Sequence, residues 1–394
     1  MNLTFPNEET IAAIATANSA GQGGIAIIRI SGPLAEETGK RIVHVPGNQV
    51  WESHHILYGQ VIDSQTQELI DEVLVLFMKS PRSFTGEDVV EIHCHGGLIA
   101  VQRVLKQILE FSQVRRAYPG EFSERAVLNG RLDLTQAEAI LELISARSEK
   151  AAQLAMSGIS GDINKQISGL RNQLLDLLSE LEARVDFEDE LPPLNENQFL
   201  NEILMVRNAL QALIDNSKRS AVVRHGLQIS LIGLPNVGKS SVLNRLSKVD
   251  RAIVTDIPGT TRDLLEMEII LEGVPIILID TAGIHATQDT VEKLGIEKSH
   301  QAIQSSDLVV YIFDISKGWS KDDQTLLSQI PDRVPKIIIG NKSDICISPS
   351  KIKPDIIFSA LTGEGESNLV KALLNKCGAS DIEPLKVTLN ERQL

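Results

Sequence analysis

The period of apolar positions changes twice along this chain and divides it into three stretches. Up to about residue 129 short apolar runs dominate. Ile25 to Ile30 leading into Ser31-Gly32, Val73 to Phe77, and Val89 to His93 read as strands, and a helix is expected from Leu98 to about Phe111. From about 130 to 220 the period is helical. Ile163, Ile167, Leu170, Leu174, Leu177 and Leu181 recur at spacings of 4, 3, 4, 3 and 4, giving one apolar seam along a helix. Asp186 to Glu190 and Pro192-Pro193 break that helix, and Phe199, Ile203, Val206, Leu210 and Leu213 begin a second seam. Both seams are expected to form bundle core, with an interaction groove as the lesser alternative, and Thr135-Gln136-Ala137-Glu138 reads as a capping box ahead of Ala139. Beyond Val222 isolated apolar runs return at Ile229–Ile232, Ile276–Ile279, Ile337–Ile339 and Ile356–Phe358, with a last helix around Asn368 to Leu374.

In the third stretch the ends of those runs carry the chemistry. The first leads into Gly233-Leu234-Pro235-Asn236-Val237-Gly238-Lys239-Ser240, a P-loop pattern. Its glycines let backbone N–H groups turn inward around phosphate oxygens at a helix N-terminus, Lys239 reaches the outer phosphates, and the Ser240 hydroxyl suits magnesium. The second run leads into Asp280-Thr281-Ala282-Gly283, where a strand-end carboxylate approaches the magnesium shell and the Gly283 amide a terminal phosphate. The third leads into Asn341-Lys342-Ser343-Asp344. A carboxylate at Asp344 can accept from both N1–H and the N2 amino group of guanine, and adenine offers no such pair. The fourth ends at Ser359-Ala360-Leu361, placed to touch guanine O6 through a backbone amide. In this order and spacing the set reads as a GTP site.

The hydrolytic machinery departs from the signalling GTPases, which place a water-orienting glutamine directly after Asp-x-x-Gly. Here that position holds Ile284, which orients nothing. Asn236 offers a side-chain oxygen beside the phosphates, suited to a monovalent cation. The segment Thr255-Asp256-Ile257-Pro258-Gly259-Thr260-Thr261-Arg262-Asp263 has the composition of a loop that wraps such a cation with carbonyls.

Composition narrows the rest. At 394 residues the chain calls for two or three domains, and no apolar run reaches transmembrane length, which fits cytoplasmic residence. Cys94, Cys346 and Cys377 lie far apart, without metal-ligand spacing. In an extended His93-Cys94-His95 run the histidines share one face and the cysteine points away. A net charge of −14 excludes bulk attraction to nucleic acid, so any RNA contact uses local patches such as Arg115-Arg116 or is delegated to a partner. Arg29 and Glu91 sit inside apolar strands, where charge must be paired or meet a ligand; a mutual salt bridge and a ligand site both satisfy that.

Asn236, Gly259-Thr260-Thr261-Arg262-Asp263, Asp280-Thr281-Ala282-Gly283 and Glu292 together resemble the GTPase domain of the MnmE (TrmE) family of tRNA-modification GTPases. His285 departs from members that carry arginine there. The resemblance extends through Gly23–Gly32, Ser83-Phe84-Thr85-Gly86-Glu87-Asp88 and Pro119–Ala126, which are similar to that family's N-terminal domain. It implies an α/β-plus-α protein: a tetrahydrofolate-binding-like α+β dimerisation domain (1–129), a helical domain (130–220), a Ras-like P-loop GTPase domain (221–377) and a tail (378–394). It implies catalysis by Glu292, Asn236 and Lys239, with potassium held by the Asn236 side chain and the carbonyls of Thr255, Ile257 and Thr260. Magnesium would take Ser240 and Thr261. Nucleotide contacts are expected at Asn236, Val237, Gly238, Lys239, Ser240 and Ser241, at Thr255, Asp256, Ile257, Pro258, Gly259, Thr260 and Thr261, and at Asp280, Thr281, Ala282 and Gly283. Asn341, Lys342, Asp344, Ser359, Ala360 and Leu361 complete them. Folate contacts, to 5-formyl-tetrahydrofolate, fall on Arg29, Glu91 and Arg131. The implied role is potassium-stimulated GTP hydrolysis in carboxymethylaminomethylation of the tRNA wobble uridine, by a homodimer acting with MnmG (GidA) in a heterotetramer. The family's returning helices and Cys-x-Gly-Lys tail are not met before Leu394; Asn390-Glu391-Arg392-Gln393 resembles only the opening of the first. A GTP-gated assembly protein, or a relic retaining only hydrolysis, is the rival reading; the segments around Arg29, Glu91 and Arg131 argue against the first.

Overall fold

Alternation in the first stretch produces a seven-stranded sheet with one face covered. Its elements are β1 (Thr10–Ile14), β2 (Ile25–Ser31), α1 (Ala35–Ile42), β3 (Val43–His44), β4 (Ile56–Ile62), β5 (Leu69–Met78), β6 (Val89–His95), α2 (Leu98–Leu109), β7 (Val114–Arg116) and α3 (Glu121–Leu128). The computed structural model describes residues 9–17, 23–187, 191–248, 265–280, 303–346 and 352–378, in two compact units, Met1–Glu138 and Ala139–Leu394. Sheet order in the first unit is β3-β4-β5-β6-β2-β1-β7, antiparallel except where β1 and β7 run parallel. The buried face carries Ala26, Ile28, Ile30, Val75, Val90 and Ile92, packed with Val101, Val104 and Ile108 of α2. Each such Ile or Val contributes about 1.5–3 kcal/mol relative to exposure. Because side chains alternate, Ile27, Arg29, Glu91 and His93 fall on the opposite, part-exposed face.

The helical stretch forms α4 (Leu134–Ser145), α5 (Glu149–Ile159), α6 (Asp162–Asp186) and α7 (Glu196–His225). The capping box lies two residues earlier than expected. The Gln136 amide donates to Asp133 Oδ1 at 2.8 Å and the Asp133 amide to Gln136 Oε1 at 3.0 Å, while Thr135 donates its hydroxyl to the same Asp133 oxygen. The Asp133 carboxylate is the better acceptor, so it takes the cap and Thr135 falls inside the helix. The seams are helical but only partly core. Ile163, Leu177, Val206 and Leu213 are buried, whereas Ile167, Leu174, Leu181, Ile203 and Leu210 remain more than a third exposed. Among the described residues α6 and α7 cover each other around Ile163 and Leu213 and leave the flanks of both seams to solvent.

The third stretch is a six-stranded sheet: β8 (Leu227–Ile232), α8 (Lys239–Leu246), β9 (Leu265–Leu271), β10 (Val274–Asp280), β11 (Leu308–Asp314), α9 (Lys321–Ser328), β12 (Lys336–Asn341), β13 (Ile356–Ile357) and α10 (Glu366–Lys376). Its order is β13-β12-β11-β8-β10-β9, and only the β9–β10 pair is antiparallel. Both faces are covered, α8 and α10 on one side and α9 on the other, so the strands read as continuous apolar runs. Such a sheet gathers its loops at the C-terminal strand ends, where α/β folds bind ligands. No helix among the described residues is long and apolar enough to cross a membrane.

Candidate functional site

Strand β8 is buried along almost its whole length and delivers the loop 233–238 to the start of α8, which Val242, Leu243 and Leu246 anchor in the core. Loop shape is set by steric necessity. Gly238 has φ +97°, and a Cβ there would lie 2.4 Å from Asn341 Nδ2; a Cβ on Gly233 would lie 2.1 Å from the Ile312 carbonyl oxygen. Lys239 folds back across the loop, its ammonium donating to the carbonyls of Gly233 at 2.8 Å and Leu234 at 3.1 Å. The N-cap of α8 is Gly238, which has no side chain to cap with; the first-turn amides and dipole favour an anion, and Ser240 is exposed there.

The base-reading end is tied to this loop by side chains. Asn341, almost fully buried, donates from Nδ2 to the Val237 carbonyl at 2.8 Å and accepts the Ala360 amide on Oδ1 at 3.1 Å. Lys342, held at φ +68°, donates to the Asn236 carbonyl at 2.8 Å and to Asp314 at 2.8 Å. Burial acts to raise the Asp314 carboxyl, but the bonds from Lys342 and Ser316 outweigh it and hold the group below the usual carboxylate range. Asp344 is exposed and accepts the Ser359 hydroxyl on Oδ1, which fixes the carboxylate. Between these groups opens a cavity of about 470 Å³, walled by Gly238, Ser241, Lys342, Asp344, Ala360 and Leu361. A cavity of this size, lined by a fixed carboxylate and by Gly238 and Ser241 beside the start of α8, suits a purine nucleotide.

In the first unit the register places Arg29 directly opposite Glu91, and the two pair at 2.8 Å through both Nε and Nη2. The Arg29 guanidinium also lies against two rings, 5.1 Å from the Phe84 centroid and 5.5 Å from that of Phe122. His93 Nε2 is 3.5 Å from the second Glu91 oxygen, and the buried nitrogen makes no hydrogen bond. On the same strand Cys94 points into the core, its thiol pushed up to about 12 by burial and then by Asp71, while His95 meets the Asp71 carboxylate at 2.6 Å.

Two family models cover almost all of the chain. One, described as the GTP-binding protein TrmE N-terminus, matches residues 10–131, and the other, the MnmE helical domain, matches residues 134–394. This chain belongs to the MnmE family. Curated relatives named tRNA modification GTPase MnmE include one from Prochlorococcus marinus (strain MIT 9313), 58% identical over 100% of this chain and 87% of its own length. Another, from Synechococcus sp. (strain WH7803), is 58% identical over 98% of this chain and 85% of its own. Among solved structures the G domain of the T. maritima FeoB iron transporter is 26% identical, covering 38% of this chain and 98% of its own at a TM-score of 0.31. As a member of the MnmE family the protein is a GTP hydrolase with an N-terminal TrmE unit and a P-loop domain.

Not every residue expected of an MnmE protein falls in the described structure. The cradle residues Asn236, Val237, Gly238, Lys239, Ser240 and Ser241 and the base-end residues Asn341, Lys342, Asp344, Ser359, Ala360 and Leu361 are gathered around one cavity or its loop. Asp280 ends β10, paired with Leu231 of β8. Thr255, Asp256, Ile257, Pro258, Gly259, Thr260, Thr261, Thr281, Ala282, Gly283 and Glu292 lie outside the described residues. Arg29 and Glu91 are brought together; Arg131 sits in the turn after α3, exposed, with its amide donating to the Ala126 carbonyl. Arg115, half of the candidate Arg115-Arg116 patch, is engaged within the fold. Glu9 holds it at 2.6 Å and Glu121 grips it with two bonds, so its charge is neutralised within the fold.

The sequence also concealed a buried lattice. Arg125 is 0% exposed, and its guanidinium reaches Glu87 at 3.1 Å, Glu121 at 3.2 Å and the Glu9 carbonyl at 2.8 Å. Ser31 donates to Glu87 at 2.7 Å and shares a 2.7 Å bond with Thr85. The one available signal was an arginine four residues after Glu121 and followed by Ala126-Val127-Leu128, which reads equally well as a surface pair.

Proposed function

We propose that this protein hydrolyses GTP to GDP and phosphate to drive modification of the wobble uridine of tRNA, acting as a homodimer with the partner MnmG. The observation that carries the nucleotide part is the Asn341 tie. One buried side chain links the phosphate loop at Val237 to the base-reading loop at Ala360. The relatives' name, tRNA modification GTPase, supports the rest. In this reading Asp344 accepts from the guanine N1–H and N2 amino group, the α8 amides take the phosphates, and Lys239 meets the outer phosphate oxygens.

Two cations belong to the proposal. Magnesium would be held by Ser240, exposed at the α8 start, and by Thr261; potassium by the Asn236 side chain and the carbonyls of Thr255, Ile257 and Thr260. When bound, the two cations would supply positive charge against the phosphates. Asn236 fits that role in one respect: it is exposed at φ +63°, and its own carbonyl is occupied by Lys342. Glu292 would position the attacking water. Hydrolysis should therefore be faster in potassium than in sodium, and Asn236→Ala should abolish the difference. Equal turnover in the two salts would sink the cation reading.

For the N-terminal unit we propose binding of 5-formyl-tetrahydrofolate at Arg29, Glu91 and Arg131. Support comes from the donor set: a paired but part-exposed guanidinium and carboxylate, two aromatic rings, and the unbonded His93 Nε2. Guanidinium suits the ligand's glutamyl carboxylate, and a carboxylate can read the amino edge of a pterin. Division of the chain at 129, 220 and 377 into folate, helical, GTPase and tail segments belongs to the same proposal. Equilibrium dialysis with 5-formyl-tetrahydrofolate tests it, since a GTPase serving only assembly has no reason to retain a folate.

A further inference from the structure

Phe84 and Phe122 come from separate segments, the loop between β5 and β6 and the first turn of α3, yet both rings meet the Arg29 guanidinium. Each ring is part-exposed, so apolar burial alone does not fix it. What joins the two segments is polar. Glu87, three residues after Phe84, and Glu121, next to Phe122, are both bonded to Arg125. Glu87 is further held by Ser31 of β2, the strand that carries Arg29, and Glu121 by Arg115 and by the Tyr118 amide. The Asn129 side chain donates to the Thr85 carbonyl at 2.8 Å and closes the same loop onto the end of α3. A buried charge cluster is an expensive way to stabilise a fold, since apolar residues of similar shape often do as well. It is an effective way to fix two loops at one separation, because its forked donors accept only a narrow geometry.

We propose that Arg125 is a positioning residue: it holds Phe84 and Phe122 as two walls on Arg29, and so presents the guanidinium edge not used by Glu91 to an anionic ligand group. The ligand named is the one-carbon folate, and to that extent the inference rests on the folate reading above. The walls act on Arg29 by restricting its rotamers and by excluding water from its faces, which strengthens any carboxylate contact made at the edge.

The test uses the full 394-residue chain. One readout needs no ligand. The Arg29 Nε–H resonance, assigned by its absence in Arg29→Lys, carries the ring-current shift of two nearby phenyl groups. Phe84→Leu and Phe122→Leu should each remove part of that shift, and Arg125→Lys, which keeps the charge but loses the fork, should remove most of it. The second readout is binding of 5-formyl-tetrahydrofolate. Arg125→Lys should weaken it about tenfold with GTP hydrolysis unchanged, and Arg125→Lys with Phe84→Leu should be no weaker than the worse single variant. An unchanged resonance in folded Arg125→Lys overturns the proposal, as does full additivity in binding. Should the wild-type chain bind no folate, the folate reading falls, and the resonance alone still decides whether Arg125 sets the walls. If Arg125→Lys does not fold, the comparison passes to Glu87→Gln, which keeps a hydrogen bond to Arg125 but not its charge and should give the same loss at smaller size.

Discussion

In the nucleotide-binding unit the side chains that shape the loops hold mainly main-chain atoms, whereas in the N-terminal unit the buried charges hold mainly one another. Lys239, Asn341 and Lys342 bond the carbonyls of Gly233, Val237 and Asn236, so each grips a loop whose shape the backbone has already set. Arg125, Glu87, Glu121 and Arg115 make a chained side-chain lattice in which Arg125 and Glu121 are the links. The first arrangement should fail locally and gracefully, the second as a block.

The largest expected break follows from that difference. Arg125→Ala leaves two carboxylates near a buried gap, and loss of one partner from a buried ion cluster costs about 3–5 kcal/mol. Thermal unfolding should show the whole N-terminal unit destabilised while GTP binding persists. Next comes Gly238→Ala, which drives a methyl into Asn341 and strains a positive-φ position. GTP affinity should fall about a hundred-fold, as expected for losing one or two hydrogen bonds to a charged phosphate at about 1.5–3 kcal/mol each, and titration with a fluorescent GTP analogue measures it. Asn341→Ala leaves one buried carbonyl and one amide unbonded, at about 1–3 kcal/mol; a roughly tenfold loss in GTP affinity is expected at unchanged melting of the other unit.

Acid probes the lattice more gently. Burial pushes the Glu121 carboxyl up, but the bonds from Arg115, the Tyr118 amide and Arg125 outweigh it and bring it to about 2 from 4.5. A group depressed in the folded state stabilises fully above its unfolded value and loses that contribution as pH falls through the folded one. Stability of the N-terminal unit should therefore decline between about pH 4.5 and 2, and Glu121→Gln should flatten that part of an acid titration followed by circular dichroism. Smallest of all is the exposed Arg147–Glu268 pair at 3.0 Å. Arg147→Ala should change stability by less than about 1 kcal/mol, and a larger shift in melting would mean that surface charge matters more here than the lattice argument allows.

Legibility in the sequence followed the same divide. Strand β2, the P-loop turn and the helix at Lys239 were readable because a short window holds both the element and the reason for it. The α6 seam was readable as helix but not as surface: Ile167 and Leu174 look identical to Ile163 until it is known which side α7 covers. The cap at Asp133 was missed in favour of Thr135 because both residues satisfy the pattern, and only acceptor strength separates them. Arg125 was beyond reach. Its partners lie up to 116 residues away in sequence, and a guanidinium between glutamates has no periodicity to betray its burial.

The Asn341 side chain has one consequence for how nucleotides compete. Because a single amide spans both recognition loops, filling the base end stiffens the phosphate loop, and filling the phosphate loop stiffens the base end. Linkage makes that help reciprocal. Guanosine and inorganic pyrophosphate, offered as separate fragments, should each raise the other's affinity by the same factor, and the intact nucleotide should bind more tightly than its two halves would suggest.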